Sequence, residues 1–213
     1  MAEFFVYGEV ELAHLKARDT ALAAVIDRIG LIERAVTPDL FTALIHAIVG
    51  QQISTKAQAT VWARLEAPCA PVSPERLAAL SVDDLQRCGL SFRKTEHMKG
   101  IAAAVLDGSL DLPALAQASD EAVCQRLSQL KGIGLWTAEM LMTFSMQRPN
   151  VISYGDLAIL RGLRMLYRHR VITPKLFAKY RRRYAPYATV ASLYLWAVAG
   201  GACPELSDPA AKK

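Results

Sequence analysis

Apolar residues in this chain recur at helical spacing in almost every segment, and the alternation typical of strands is scarce. One apolar stripe consists of Leu40, Phe41, Leu44, Ile45, Ile48 and Val49. Residues that favour helix starts, such as Ser54, Ser119 and Thr173, stand just before several of these segments. The pattern predicts an all-α protein of roughly ten short helices.

The composition is that of a compact folded chain. Its 213 residues are 53% hydrophobic and 21% charged, which suffices for one large or two small domains. We expect two helical lobes. Residues 35–130 form the central lobe, which ends at a glycine-rich turn, and residues 1–34 and 131–213 together form the other.

The charge is unevenly distributed. The net charge is +5, and basic residues cluster between positions 161 and 183. The members of this cluster are Arg161, Arg164, Arg168, His169, Arg170, Lys175, Lys179, Arg181, Arg182 and Arg183. Such clustering suits a polyanionic partner, although a solvated helix face would produce the same pattern.

The four cysteines are widely spaced and include no CxxC pair. They do not have the spacing of a zinc or iron–sulfur ligand set, so we expect no such cluster. No secretory signal or membrane-spanning run is visible, which predicts a reduced, cytoplasmic compartment and no membrane partner.

A glycine-paired turn, Lys131-Gly132-Ile133-Gly134, separates two helical patterns. Glycine tolerates positive φ and close approach of the backbone to a ligand, and the N–H groups that open the next helix attract phosphate. A helix-hairpin-helix over about 119–146 grips the DNA backbone in this way. An ordinary connection between two helices with glycine caps is the alternative interpretation.

Asp156 ends a short polar loop, Ser153-Tyr154-Gly155, that follows the second helix of this hairpin. A carboxylate there can stabilise a positive charge, or it can cap a helix over 157–167. Both roles are compatible.

Together these motifs resemble the helix-hairpin-helix base-excision DNA glycosylases. The pattern Leu-x-Gly-Ile-Gly-x-Trp-Thr-Ala from Leu130, followed by the Asp156 loop, is most similar to the 3-methyladenine DNA glycosylase II (AlkA-type) branch. Residues 47–54 and the apolar helix over 187–200 also resemble that branch. The resemblance covers about residues 35–200 and implies a two-lobe helical fold that removes damaged bases from duplex DNA.

The resemblance implies that Asp156 is the essential carboxylate. Trp136 stands where strand-cutting relatives carry a lysine nucleophile, which predicts hydrolysis without lyase activity. Trp136 and Trp196 are then expected to line the base pocket, with Tyr154 and Met140, where some relatives carry an aromatic residue instead of Met140. The alternative for both tryptophans is that they fill the core.

The remaining predicted contacts concern DNA and ions. Lys131, Gly132, Gly134 and Thr137 are expected to contact the DNA backbone. The loop carrying Gln51, Gln52 and Ser54 faces DNA in the family, and Gln52 matches the residue that fills the gap left by the flipped base. Local hydrogen bonding to the loop is the alternative for both glutamines.

No cofactor is expected to be required. A monovalent cation, Na⁺ or K⁺, could bind the backbone carbonyls of Ser128, Leu130 and Ile133, as the resemblance implies.

Three other functions compete with a glycosylase for alkylated purines. One is a glycosylase for another lesion, such as hypoxanthine, oxidised guanine or a deaminated pyrimidine. The second is a non-catalytic helix-hairpin-helix module that binds DNA, although Asp156 would repel DNA in such a module. The third is a helical scaffold without a nucleic-acid role. The expected partner is double-stranded DNA with a damaged base, bound by a monomer.

Overall fold

The computed structural model describes residues 3–210, which form thirteen α-helices and one two-stranded sheet. The helices are α1 (Glu9–Arg18), α2 (Thr20–Ile29), α3 (Leu40–Gly50), α4 (Thr55–Cys69), α5 (Pro74–Ala79), α6 (Val82–Arg87), α7 (Phe92–Leu106), α8 (Leu112–Gln117), α9 (Asp120–Ser128), α10 (Leu135–Phe144), α11 (Leu157–Tyr167), α12 (Pro174–Tyr184) and α13 (Ala188–Ala199). The predicted all-α class is confirmed. The structure has more helices than predicted, in part because α8 has only six residues, too few for a clear apolar period.

The small sheet pairs two short strands near the N-terminus. Strand β1 (Glu3–Phe4) runs antiparallel to β2 (Ala35–Val36), with Glu3 opposite Val36. The backbone N–H of Phe5 extends the pairing by donating to the carbonyl of Arg34 at 2.8 Å. No helix among residues 3–210 combines the length and apolar character needed to cross a membrane.

The chain divides into two compact units. The terminal unit comprises Met1–Val36 and Gln147–Lys213, and the central unit comprises Thr37–Met146. The predicted lobes placed residues 131–146 with the C-terminal helices. In the structure these residues belong to the central unit, because α10 packs against both α9 and α3.

In the terminal unit, α11 and α13 pack closely against each other. Their contact depends on Gly162, where a Cβ would overlap the backbone carbonyl oxygen of Leu195. Most of α13 is buried, including the whole run from Ala188 to Leu195. The segment around Asp208, which follows α13, is bound to α11. Arg164 donates two hydrogen bonds to the carboxylate of Asp208, at 2.9 and 2.6 Å.

In the central unit, the apolar stripe predicted on α3 is buried, and this helix packs against α4, α7 and α10. Helix α7 packs in turn against α5 and α6. Helices α9 and α10 form the predicted hairpin around the glycine turn. The hairpin and the end of α3 thus lie in one compact unit, where they can support each other.

Candidate functional site

Asp156 is 7% exposed and caps the N-terminus of α11. Its Oδ1 accepts hydrogen bonds from the backbone N–H groups of Ala158 and Ile159, both at 2.9 Å. The helix role predicted for Asp156 is therefore confirmed. The same arrangement holds a carboxylate in a largely dehydrated position, beside the positive end of a helix dipole.

A third donor reaches the same oxygen. The indole Nε1 of Trp196, on α13, lies 3.2 Å from Oδ1 of Asp156. The close approach of α11 and α13 at Gly162 brings this side chain within range. Hydrogen bonds from N–H groups stabilise a carboxylate and fix its orientation. Trp196 thus touches the candidate catalytic group directly, which its place in an apolar helix did not predict.

Tyr154 lies in the loop before Asp156 and is 41% exposed. Its hydroxyl donates to the carbonyl of Ile172 at 3.3 Å, and its ring meets Phe177 edge to face at 5.1 Å. These contacts anchor the loop that precedes α11. A wall of the base pocket remains a predicted role for Tyr154.

The hairpin turn has the predicted form at Gly132. This residue has a φ of +87°, and a Cβ there would overlap the ring of His97. Ile133, between the two glycines, is buried, with 3% of its surface exposed. Gly134 needs no positive φ, since it is the N-cap of α10 with a φ of −87° and no heavy atom lies within 4 Å of a Cβ built on it. Gly134, Leu135 and Trp136 are exposed, so the N-terminus of α10 lies at the surface, where an anion can approach its first N–H groups.

The other predicted DNA contacts lie on the same unit. Lys131 is exposed on the turn, and Thr137 is partly exposed in the first turn of α10. Ser54 is exposed and caps α4, where its hydroxyl accepts from the backbone N–H of Ala57 at 3.2 Å. Their contacts with DNA stay predictions.

The two glutamines differ in their surroundings. The side-chain amide of Gln51 is half-buried and donates to the carbonyl of Gly132 at 2.7 Å, so it joins the loop to the hairpin turn. Gln52 is exposed and has a left-handed φ of +57°. The structure therefore gives the two neighbours different tasks: Gln51 supports the loop, and Gln52 is presented to solvent.

The central unit contains a cavity of about 580 Å³ next to this loop. Five of the predicted site residues line it, namely Trp136, Thr137, Met140, Gln51 and Gln52. Trp136 stands at the start of α10 with 49% of its surface exposed. This exposure shows that Trp136 is not a simple core residue.

The cavity also has a polar side that the sequence did not reveal. His46 and Gln58 line it, and the Gln58 amide nitrogen lies 3.2 Å from Nδ1 of His46 and 3.1 Å from the His46 carbonyl oxygen. The imidazole ring meets Trp62 edge to face at 4.8 Å. Burial lowers the pKa of His46, an effect that the charge of Glu66 opposes. A histidine inside an apolar helix stripe carries no recognisable sequence signal for such a position.

Backbone carbonyls of the turn are the predicted donors for a monovalent cation, and oxygen ligands of this kind suit such ions. The carbonyl of Leu130 accepts from the backbone N–H of Ile133 at 3.0 Å, which leaves one of its lone pairs for a further partner. The ion at Ser128, Leu130 and Ile133 stays a prediction. Among residues 3–210, no group of three or more His, Cys, Asp or Glu side chains is arranged to hold a metal ion.

The basic cluster serves more than one purpose. Arg164 and Arg183 form ion pairs at 2.6 and 2.7 Å with Asp208 and Asp19, respectively. Lys175 and Lys179 are exposed on α12. Part of the cluster that the sequence suggested as a polyanion surface is therefore used inside the fold.

The fold and the hairpin define a class of protein. Residues 45–186 match the HhH-GPD superfamily base excision DNA repair proteins, and the chain belongs to this family. The family predicted from the turn and the Asp156 loop is confirmed.

Individual relatives are more specific. The chain is 35% identical over 158 residues to DNA-3-methyladenine glycosylase 1 of Schizosaccharomyces pombe, which covers 72% of this chain and 69% of the relative. It is similar to the crystal structure of a DNA-3-methyladenine glycosidase from Bacillus halodurans, with a TM-score of 0.86, 35% identity and coverage of 96% and 95% of the two chains. It also matches a 3-methyladenine DNA glycosylase of S. pombe in complex with abasic DNA, with a TM-score of 0.75, 28% identity and coverage of 96% and 100%.

Proposed function

We propose that this protein is a monofunctional DNA glycosylase that hydrolyses the N-glycosidic bond of alkylated purines, of the 3-methyladenine type, in duplex DNA. The observation that carries the proposal is the buried Asp156 carboxylate, with three N–H groups directed at its Oδ1. The names of the relatives at 35% identity support the substrate class.

The chemistry assigned to Asp156 follows from the reaction. Breaking the bond between base and sugar builds positive charge on the sugar, and a fixed carboxylate in a dehydrated setting stabilises that charge. The same group can orient or deprotonate the water that attacks the sugar. Because the two backbone N–H groups and the Trp196 indole already orient the carboxylate, little reorganisation is needed during the reaction.

The cavity of the central unit is proposed to receive the extruded base. An alkylated purine carries delocalised positive charge, and the exposed indole face of Trp136 attracts such a cation. Met140 adds a polarisable, adaptable wall. The lowered pKa of His46 favours a neutral imidazole at physiological pH, so this wall of the cavity does not repel a cationic base.

We also propose that the protein has no lyase activity, because residue 136 is a tryptophan. A lyase in this family uses a lysine amine to form a Schiff base with the sugar. The indole of Trp136 cannot act as that nucleophile, and Lys131 lies on the turn rather than at the matching position. The expected product is an abasic site in an intact strand.

Binding to the duplex is proposed to use the hairpin turn and the neighbouring loop. The accessible N-terminus of α10 would hold a phosphate, and Lys131 would add a positive charge nearby. Gln52 would occupy the space vacated by the flipped base, a step that such enzymes need because the target base is not accessible inside the stack.

The test is base release from duplexes that each carry one lesion: 3-methyladenine or a stable analogue, hypoxanthine, or oxidised guanine. Each reaction is analysed with and without alkali, for the native chain and for Asp156→Asn. We expect strand breaks only after alkali, only from the alkylated purine, and none with the variant.

Each other outcome points to a different function. Breaks without alkali would contradict the monofunctional mechanism, and release of another lesion would change the substrate class. Salt-sensitive DNA binding without release of any base would indicate a non-catalytic DNA-binding module.

A further inference from the structure

The loop between α3 and α4 is held at its base by a lysine from another helix. Nζ of Lys94, on α7, lies 2.9 Å from the carbonyl oxygen of Val49 and 2.7 Å from that of Gln51. Both carbonyls belong to the C-terminal end of α3, where backbone oxygens lack helical partners and the helix dipole is negative. A half-buried ammonium group is well suited to this position, although burial lowers the pKa of Lys94.

The same helix also supports the hairpin turn. His97 lies one turn after Lys94 on α7, and its ring occupies the space beside Gly132 that a Cβ would need. Gln51 completes the connection, because its side chain donates to the carbonyl of Gly132 at 2.7 Å. Loop, turn and α7 therefore form one continuous set of contacts within the central unit.

Gln52 comes directly after these supports. It is exposed, and its φ of +57° is one that residues other than glycine adopt only at a cost. Such a conformation persists when the surrounding structure fixes the residues on either side. Lys94 fixes the residue before Gln52, and the cap of α4 at Ser54 fixes the chain after it.

We propose that Lys94 is a positioning residue for base extrusion: its ammonium group holds the Gln51–Gln52 loop against the hairpin turn, so that Gln52 is ready to enter the duplex as the damaged base leaves. This inference rests on the proposed function, since it takes a base in duplex DNA as the substrate. A loop already held in its working position loses little conformational freedom when it inserts, which favours the extruded state.

Lys99 offers a matched control on the same helix. Its side chain is also partly buried, and its ammonium group also donates to two carbonyls, those of Ala78 at 2.8 Å and Leu80 at 2.6 Å, near the end of α5. Lys94→Met and Lys99→Met therefore remove the same kind of interaction, from the loop in one case and from a remote helix in the other.

The experiment compares single-turnover base release from two duplexes. In the first the lesion is paired normally, and in the second it lies opposite an abasic position, where no pairing must be broken and no partner base is left behind. We expect Lys94→Met to slow release from the paired duplex by about tenfold or more, and from the second duplex by less than about twofold. Lys99→Met should change the two rates by the same factor.

Two further variants protect the test against a folding defect. Lys94→Arg keeps a positive donor and should restore most of the rate on the paired duplex. Gln51→Met removes the bond to Gly132 and leaves Lys94 in place, and it should show the same selective loss as Lys94→Met. Equal slowing of both duplexes by Lys94→Met and Gln51→Met, or unchanged release from the paired duplex, would overturn the positioning role.

A second readout does not depend on cleavage. A 2-aminopurine beside the lesion gains fluorescence when protein bound at saturation opens the base stack. We expect a smaller gain with Lys94→Met than with the native chain or Lys99→Met, and an equal gain in all three would overturn the proposal. If the native chain opens the stack but releases no base, the proposed function fails while this inference is still decided by the fluorescence.

Discussion

The indole Nε1 of Trp196 lies 3.2 Å from Oδ1 of Asp156, the oxygen that also caps α11. Two residues 40 positions apart in the chain thus form one unit of the candidate site. The Trp196 side chain, which was expected to line the base pocket, thus donates a hydrogen bond to the candidate catalytic carboxylate.

Replacing Trp196 by phenylalanine removes the N–H donor and keeps most of the aromatic surface. A hydrogen bond to a charged group contributes roughly 1.5–3 kcal/mol, so we expect the single-turnover rate of base release to fall by about tenfold or more. DNA affinity should change little. A single-turnover rate for Trp196→Phe equal to that of the native chain would contradict a role for the Trp196 indole.

Two substitutions of Asp156 should separate chemistry from stability. Asn is about as good an N-cap as Asp, so Asp156→Asn should keep the free energy of unfolding within about 1 kcal/mol while base release falls by at least about a hundredfold. Asp156→Ala should lose the same activity and also about 1 kcal/mol of stability. Urea unfolding and single-turnover assays measure the two effects. A rate for Asp156→Asn within about tenfold of the native rate would exclude the carboxylate as the essential group.

The N-cap position of α10 allows a test of phosphate binding. Asp and Asn both favour N-caps, and there is open space for either side chain at Gly134. We expect Gly134→Asp to weaken binding to an undamaged duplex by about tenfold, because its charge would face a phosphate, and Gly134→Asn to bind nearly as the native chain does. A titration by fluorescence anisotropy at several salt concentrations checks this, and equal affinity of the two variants would place the phosphate elsewhere.

The packing of α11 on α13 predicts a strong effect at Gly162. A Cβ would overlap the carbonyl oxygen of Leu195, and neither backbone can yield without moving a buried helix. Gly162→Ala should therefore lower the free energy of unfolding by roughly 1–3 kcal/mol. Gly100 lies inside α7 with no heavy atom near its Cβ position, so Gly100→Ala should raise stability by up to about 1 kcal/mol. If Gly162→Ala and Gly100→Ala changed the free energy of unfolding by similar amounts, the close contact between α11 and α13 at Gly162 would be contradicted.

The free energy of unfolding should depend on pH through the ionisation of Asp208. Its hydrogen bonds with Arg164 hold the pKa of Asp208 at about 2, below its ordinary value of 3.8. Because the folded-state pKa is lowered, the stabilisation is fully present above about pH 4 and is lost as the pH falls from there to about 2. The difference in unfolding free energy between the native chain and Asp208→Asn should narrow over this range. If this difference in unfolding free energy stayed constant down to pH 2, the ion pair between Asp208 and Arg164 would not contribute to stability.

Most of the features that the sequence predicted correctly depend on residues adjacent in the chain. The caps at Ser54 and Asp156, the turn at Gly132 and the buried Ile133 are features of neighbouring residues, and their chemistry can be read from adjacent positions. Helix α8 was missed because its six residues cover less than two turns.

The long-range contacts could not be predicted in the same way. Lys94 reaches carbonyls more than 40 residues earlier in the chain, and Gln51 bonds to Gly132 across 81 positions. Nothing in a lysine's neighbourhood on its own helix indicates which helix end it will meet. The place of residues 131–146 in the central unit was missed for the same reason, since it depends on the packing of α10 against α3.

The double use of one oxygen in Asp156 also limits how this protein can change over evolutionary time. Most replacements of that residue would uncap α11 as well as remove the carboxylate, so they would be selected against even in a lineage that no longer needed the reaction. Asparagine is a clear exception, because it preserves the cap at nearly the same size and lacks the charge. A homologue with Asn at this position would be a folded descendant that had given up catalysis at almost no structural cost.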